Sequence, residues 1–158
     1  MRNVRHADVG HRLSIALLPR ALLAGCGDMP RDPDGTLERV RASRIIRVGT
    51  VTGAEQADLV VAKQILSRIS AQTSAAPDIV GGTLETLLLR LEAGQLDLVI
   101  GGRFDKNSPW STRVAFGPPF RRHAESENVT ASHVVARNGE NAWITLVERA
   151  TRAGALKR

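Results

Sequence analysis

Aromatic residues and cysteine are scarce in this sequence. Its 158 residues include two Trp, three Phe and no Tyr, together with a single Cys. A core must therefore be built from aliphatic side chains, which suits buried parallel strands covered by helices and makes a base-stacking surface for nucleic acid a poor match. One cysteine excludes an intramolecular disulfide and any zinc site that needs several cysteines.

Long apolar runs are also missing, and the charge is unevenly spread. No stretch reaches the ~18 consecutive apolar residues that a membrane-spanning helix needs. The net charge is +6, but residues 1–25 carry four arginines against one aspartate and so hold half of the excess. The charge of the remaining chain is ordinary for a globular surface. We therefore expect no nucleic-acid partner.

The N-terminal segment has the pattern of an export leader. Arg2, Arg5 and Arg12 precede a short apolar stretch that ends in small residues, as in a secretory signal peptide. Residues 23–26 read Leu-Ala-Gly-Cys and resemble the lipobox of bacterial lipoproteins, in which the leader is cleaved before a cysteine that then carries diacylglycerol. The resemblance implies a signal peptide over residues 1–25 and a lipidated Cys26 that anchors an extracytoplasmic, periplasmic protein to the membrane surface. The alternative is a disordered tail with an incidental cysteine.

Residues 26–35 are rich in Gly, Pro and Asp and read as a flexible tether to one folded unit over residues 36–153. Strand patterns at 44–50, 78–80 and 96–100 alternate with helical patterns at about 54–70 and from the capping Thr83 onward. Thr36 is expected to cap the N-terminus of a short helix that lies before the first strand. The strand at 96–100 is apolar throughout, which is typical of a strand covered on both faces. These patterns predict a three-layer α/β fold with a mostly parallel sheet and helices on both faces.

The last third of the chain has weaker patterns. Gly101 and Gly102 are expected to end the third strand, and the polar residues 121–132 to form a loop. A further strand over residues 133–136 and a last helix over residues 140–151 complete the unit.

Three segments are similar to family 3 periplasmic solute-binding proteins of ABC importers: residues 36–49, residues 91–102 with the sequence LEAGQLDLVIGG, and residues 110–120. The resemblance implies an α/β lobe that binds a small polar ligand, commonly an amino acid, and delivers it to a membrane permease. The family inserts a second lobe after the third segment, where only residues 121–132 stand here, so the resemblance implies a single lobe. The family's carboxylate-binding arginine aligns with Trp110, and Arg113 lies nearby out of register.

A sheet of this kind binds ligands at the carboxyl ends of its strands, where backbone N–H groups and helix N-termini favour anionic groups. Trp110 is a candidate for stacking on a ligand and Arg113 for binding its carboxylate. The alternatives are that the glycine pairs are simple turns and that Trp110 is a packing residue. The candidate ligand-binding residues at the strand ends are Thr50, Thr52, Thr83, Gly101 and Gly102.

Catalytic patterns are weak. Two of the four histidines fall in the leader and His123 and His133 in or beside the expected loop, which leaves no metal-ligand spacing. The glycines match neither a dinucleotide nor a phosphate loop, so we expect no cofactor, no metal and no enzyme activity. The sequence predicts an extracytoplasmic solute-binding domain. The alternative is a degenerate envelope lipoprotein that acts as a sensory or protein-interaction module.

Overall fold

The structure, a computed structural model, describes residues 32–105, 107–125 and 128–155. The predicted signal peptide, Cys26 and most of the predicted tether lie outside these residues. Within them, no helix is both long and apolar enough to cross a membrane.

In the described residues, four helices and six strands form the lobe. The helices are α1 (Thr36–Ser43), α2 (Gln56–Thr73), α3 (Leu84–Glu92) and α4 (Asn141–Ala155), with a short 3₁₀ turn over Pro109–Thr112. The strands are β1 (Ile45–Val51), β2 (Ala76–Gly82), β3 (Leu98–Asp105), β4 (Val114–Phe116), β5 (Arg121–Glu125) and β6 (Asn128–Arg137).

All six strands belong to one sheet with the order β2-β1-β3-β6-β4, and β5 also pairs with β6. The strand β1 is parallel to β2 and β3, whereas β6 is antiparallel to β3, β4 and β5. Five strands therefore run in one direction and β6 runs against them. The sheet is mixed: its β2-β1-β3 part is parallel, as predicted, and the pairings of β6 with β3, β4 and β5 are antiparallel.

Helices cover both faces of the sheet because its central strands are apolar on both sides. Leu98 and Ile100 of β3 pack in one core with α1, α2 and α4. Val99, between them, packs in a second core with α3. Each such side chain contributes roughly 1.5–3 kcal/mol when it is fully buried. This confirms the three-layer architecture of a single lobe.

The apolar faces of the helices are the buried ones. Leu87, Leu88 and Leu91 of α3 are buried, and so is Trp143 of α4. Thr83 caps α3 as expected, since its Oγ1 accepts a hydrogen bond from the backbone N–H of Thr86.

Three local predictions are wrong. Residues 121–132 are not a loop, because residues 121–125 form β5 and residues 128–132 form the first half of β6. The glycine pair does not end β3, which continues through a bulge at Gly101 to Asp105. Thr36 does not cap α1: Gly35 precedes the helix, and the N–H of Thr36 donates to the distant carboxylate of Glu140 at 3.0 Å.

Candidate functional site

The carboxyl ends of β1 and β2 meet the start of α3, as the sequence predicts. Thr50 pairs with Gly81 of β2 on one side and with Ile100 of β3 on the other. The N–H of Thr52 donates to the carbonyl oxygen of Gly82 at 2.9 Å. Thr83 follows Gly82 directly and is exposed at the N-terminus of α3. The structure therefore brings the three predicted threonines to one edge of the sheet.

The two glycines of β3 serve different purposes. Gly101 has a φ of +88°, which L side chains rarely adopt, and this conformation makes the bulge. At Gly102 an added Cβ would lie 2.7 Å from Leu84 and 2.9 Å from Phe104. Gly102 is thus required for packing against α3, and only Gly101 lies beside the end of β1.

Trp110 and Arg113 form a separate pair. The Arg113 guanidinium stacks over the Trp110 ring at 4.3 Å, and its Nε donates to Glu92 Oε1 at 2.8 Å. Glu92 is the last residue of α3 and Thr83 precedes the first, so the helix length of about 13 Å separates them. The Arg113 side chain is therefore directed at the C-terminal end of α3, away from Thr83.

A second group of polar residues lies at the same edge, where β3 extends past the end of β1. Strand register places Arg103 of β3 opposite Ser132 of β6, and Ser132 opposite Arg121 of β5. These three side chains form a row that faces the first turn of α2. We call the group the carboxyl-end cluster; it consists of Glu55, Asp58, Arg103, Arg121, His123 and Ser132.

Asp58 is the buried centre of this cluster. Its side chain is 0% exposed. It accepts hydrogen bonds from Ser132 Oγ at 2.8 Å and from Arg121 Nη1 at 3.3 Å, and Arg103 Nε lies 4.0 Å away. A buried carboxylate is costly unless it is paired and hydrogen-bonded, and here both conditions are met. Asp58 therefore fixes the positions of the side chains around it.

His123 and Ser132 complete the buried layer. His123 Nε2 lies 2.8 Å from Ser132 Oγ. The Ser132 hydroxyl donates to Asp58 Oδ2, and His123 Nε2 lies 3.3 Å from the same oxygen. A catalytic serine instead donates to its histidine, and Ser132 is fully buried. The geometry is that of a structural network.

Glu55 is the exposed acid of the cluster. It precedes α2, and 47% of its side chain is exposed. Its carboxylate contacts Arg103 Nη2 through one oxygen and Arg121 Nη2 through the other, the second at 3.2 Å. The guanidinium side chains are 29% and 26% exposed. The upper layer of the cluster, made by these three residues, is thus open to solvent.

The three residues Glu55, Asp58 and His123 offer ligand atoms within 4.8 Å of one another, which is close enough to share a metal ion. Two guanidinium groups already balance the two carboxylates. A cation would have to displace both arginines, whereas an anion could take the place of the exposed carboxylate. The charges of this cluster favour an anionic guest.

Sequence reasoning missed this cluster. Glu55 and Asp58 lie 63 to 74 positions before their partners on β5 and β6, so no local window contains both. The available signal was the alternation of Arg121 and His123, which places both side chains on one face of a strand.

Comparison with known proteins identifies the fold. In sequence, the chain matches no family model and no curated protein. The structure is similar to the arginine-bound form of domain 1 from TmArgBP, with a TM-score of 0.59 and 16% identity over 73% of this chain and 97% of that one. It also resembles an ancestral cationic amino acid solute-binding protein, AncCDT-1, with a TM-score of 0.60 and 10% identity over 75% and 93% of the two chains.

A third similar structure is the substrate binding protein of an amino acid ABC transporter, with a TM-score of 0.54 and 11% identity over 68% and 92% of the two chains. AncCDT-1 is also a precursor of cyclohexadienyl dehydratase, so one of these neighbours is the precursor of an enzyme. The neighbours are mostly binding proteins. At these identities the comparison establishes the fold, which is that of one lobe of a solute-binding protein.

Proposed function

We propose that this protein is a solute-binding domain of an ABC-type importer system and binds a small polar ligand such as an amino acid. One observation carries the proposal: the edge of the sheet that binds ligands in α/β folds presents Thr50, Thr52 and Thr83, and two partly exposed arginines lie at the same edge, where β3 extends past β1. The fold shared with amino-acid-binding proteins supports it.

A single lobe supplies only one wall of a binding cleft. Burial of most of a small ligand needs surfaces on both sides. We propose that a second copy of the chain or the membrane permease supplies the other wall. Binding by the isolated chain is then expected to be weak, because a large part of the ligand stays in water.

We also propose that the mature protein is extracytoplasmic and is held at the membrane surface by acyl chains on Cys26. The leader pattern of residues 1–25 and the Leu-Ala-Gly-Cys sequence support this. Mass spectrometry of the intact protein from a bacterial membrane fraction tests it: the expected mass is that of a chain starting at Cys26 with diacylglycerol attached. An uncleaved or unacylated chain in that fraction contradicts the anchor.

Isothermal titration of the full chain against the twenty amino acids and a set of polyamines tests the ligand. We expect a saturable heat with at least one compound. Arg121→Gln should weaken that binding, whereas Arg113→Gln, which alters an arginine–glutamate pair outside the site, should leave it unchanged. No heat from any compound, with a native circular dichroism spectrum, contradicts the proposal and favours the protein-interaction module.

A further inference from the structure

Two carboxylates share the arginines of the carboxyl-end cluster, and they differ in how easily they can leave. Asp58 is fully buried, and its removal would strand polar groups inside the protein. Glu55 is 47% exposed. Ion pairs at such positions contribute only about 0–1 kcal/mol, since both partners regain water when they separate.

Nothing in its own helix holds the Glu55 side chain in place. Glu55 stands at the N-cap position of α2, yet its carboxylate accepts no hydrogen bond from the first turn of that helix. It is turned instead toward Arg103 and Arg121, which come from two different strands. The two carboxylate oxygens each contact one guanidinium, which is the arrangement that a planar carboxylate of a ligand would adopt.

The arginines keep their positions without Glu55. Arg121 donates to Asp58 through Nη1 while its Nη2 faces Glu55. Arg103 has Nε 4.0 Å from Asp58 and Nη2 against Glu55. Each guanidinium therefore has one side directed at the buried acid and another at the exposed acid. The pair is pre-organised from below and can exchange its upper partner.

The pair also lies next to the predicted ligand edge. Ala54, the neighbour of Glu55 in the chain, lies 3.4 Å from where a Cβ on Gly101 would stand. A small molecule whose carboxylate replaced that of Glu55 would thus extend over the ends of β1 and β3. Because one carboxylate replaces another, the net charge of the site does not change.

We propose that Arg103 and Arg121 bind the carboxylate group of a small anionic ligand, such as a dicarboxylate or an acidic amino acid, and that Glu55 holds the place of this group until the ligand displaces it. The inference rests on the proposed function and assigns its ligand class. Glu55 then acts as an internal competitor, and it lowers the apparent affinity by the fraction of time for which it occupies the arginines.

Titration of succinate and L-glutamate into the full chain and into Glu55→Gln tests the inference. If Glu55 occupies the arginines about nine-tenths of the time, the variant binds these anions about tenfold tighter. The matched control is Glu92→Gln, which removes the exposed partner of Arg113 at the far end of α3 and should leave the affinity unchanged.

Three outcomes separate this inference from the proposed function. Tighter binding of succinate or L-glutamate by Glu55→Gln but not by Glu92→Gln supports both. Binding of neutral or cationic amino acids with no gain for the anions in Glu55→Gln overturns the anionic ligand class and leaves the solute-binding function standing. No binding of any compound by either form overturns both.

A measurement on the unmodified protein covers the case in which the variant does not fold. Succinate should shift the side-chain Nε–H resonances of Arg103 and Arg121, assigned through Arg103→Lys and Arg121→Lys, and leave that of Arg113 in place. Unchanged Arg103 and Arg121 signals under saturating succinate overturn the site.

Discussion

The two ends of β3 carry similar groups that behave differently. At the amino end, the side chain of Asp97 is fully buried and accepts hydrogen bonds from Arg39 Nη1 at 2.8 Å and from Arg47 Nη2 at 2.6 Å. At the carboxyl end, Asp58 is equally buried and also lies against two arginines. The difference is Glu55, an exposed second acid that contacts both arginines of the carboxyl end. Among the described residues, the ion pairs of Arg39 and Arg47 at the amino end are with Asp97 alone.

The contacts of Asp97 at the amino end connect different elements of the fold. The backbone N–H of Arg47 also donates to Asp97 at 2.8 Å, and the Trp143 indole donates to the Asp97 carbonyl oxygen at 2.8 Å. Burial by itself would raise the pKa of Asp97, but the hydrogen bonds from Arg47 and Arg39 outweigh it and hold that pKa below its usual range. A closed arginine–aspartate group therefore joins elements, whereas one with an additional exposed acid can exchange a partner.

The largest expected effect follows from breaking the amino end. Asp97→Asn removes a charged acceptor from four donors, and we expect a loss of about 2–4 kcal/mol in the free energy of unfolding by urea. The two arginines can turn to water, which keeps the loss from being larger. Asp78→Asn on the exposed edge strand β2 is the control, with a change within about 0.5 kcal/mol. Equal stability of the two variants would show that Asp97 does not join β1, α1 and β3.

Substitution of Asp58, in the buried layer of the carboxyl end, should lower the free energy of unfolding less than substitution of Asp97. Asp58 accepts from Ser132 and Arg121, and His123 Nε2 and Arg103 Nε lie 3.3 and 4.0 Å from its carboxylate. We expect Asp58→Asn to lower the free energy of unfolding by about 1–3 kcal/mol. Asp105→Asn, a change of an exposed aspartate at the same end of β3, is the control for urea unfolding. A loss as large as that of Asp97→Asn would contradict the ranking of the two ends.

The amino end also contains a pair of carboxyl groups with opposite pKa shifts. Burial, together with the neighbouring Glu140, raises the pKa of Asp32 from 3.8 to about 7. Burial opposes ionisation of Glu140 as well, but hydrogen bonds from Asp32 and from the side chain and backbone N–H of Thr36 lower its pKa to about 2. One proton is therefore shared at the start of α1, where Glu140 also accepts from the N–H of Asp34 at 2.9 Å.

This pair gives a pH dependence with a defined sign. Between pH 3.8 and about 7 the folded chain holds a proton on Asp32 that the unfolded chain has lost, so the contribution of Asp32 to stability falls as the pH rises through this range. Asp32→Asn, whose amide can donate to Glu140 at any pH, should match the unmodified protein in thermal unfolding below pH 3.8 and exceed its stability near pH 8, with the excess growing between these two values. Parallel pH profiles of the two proteins would contradict the shared proton.

Much of this fold follows from local patterns. The strands β1 and β3 are apolar runs, and α3 follows a capping threonine with leucines on one face. These signals lie within short windows and report burial directly. The edge formed by Thr50, Thr52 and Thr83 then follows, because parallel strands end together.

The polar interior could not be predicted in this way. Arg121 and His123 point inward on β5, where a hydrophobicity pattern assigns a solvated loop. Their stability depends on Asp58, which is far away in the sequence and on a different element. The same holds for Thr36: its type and position favour a cap, but a carboxylate from residue 140 satisfies its N–H. Long-range pairing of charges leaves no period in the sequence.

The smallest expected effect on stability concerns Glu55, the residue that distinguishes the carboxyl end of β3 from the amino end. Glu55→Gln removes one charge from the exposed layer, and Asp58 continues to hold Arg121 from below. We expect the free energy of unfolding to change by no more than about 0.5 kcal/mol, measured by urea unfolding beside Asp58→Asn. If Glu55→Gln instead cost more than about 1 kcal/mol, the exposed acid would be as structural as the buried one. The carboxyl end would then be closed in the same sense as the amino end, and its arginines would have no partner to exchange.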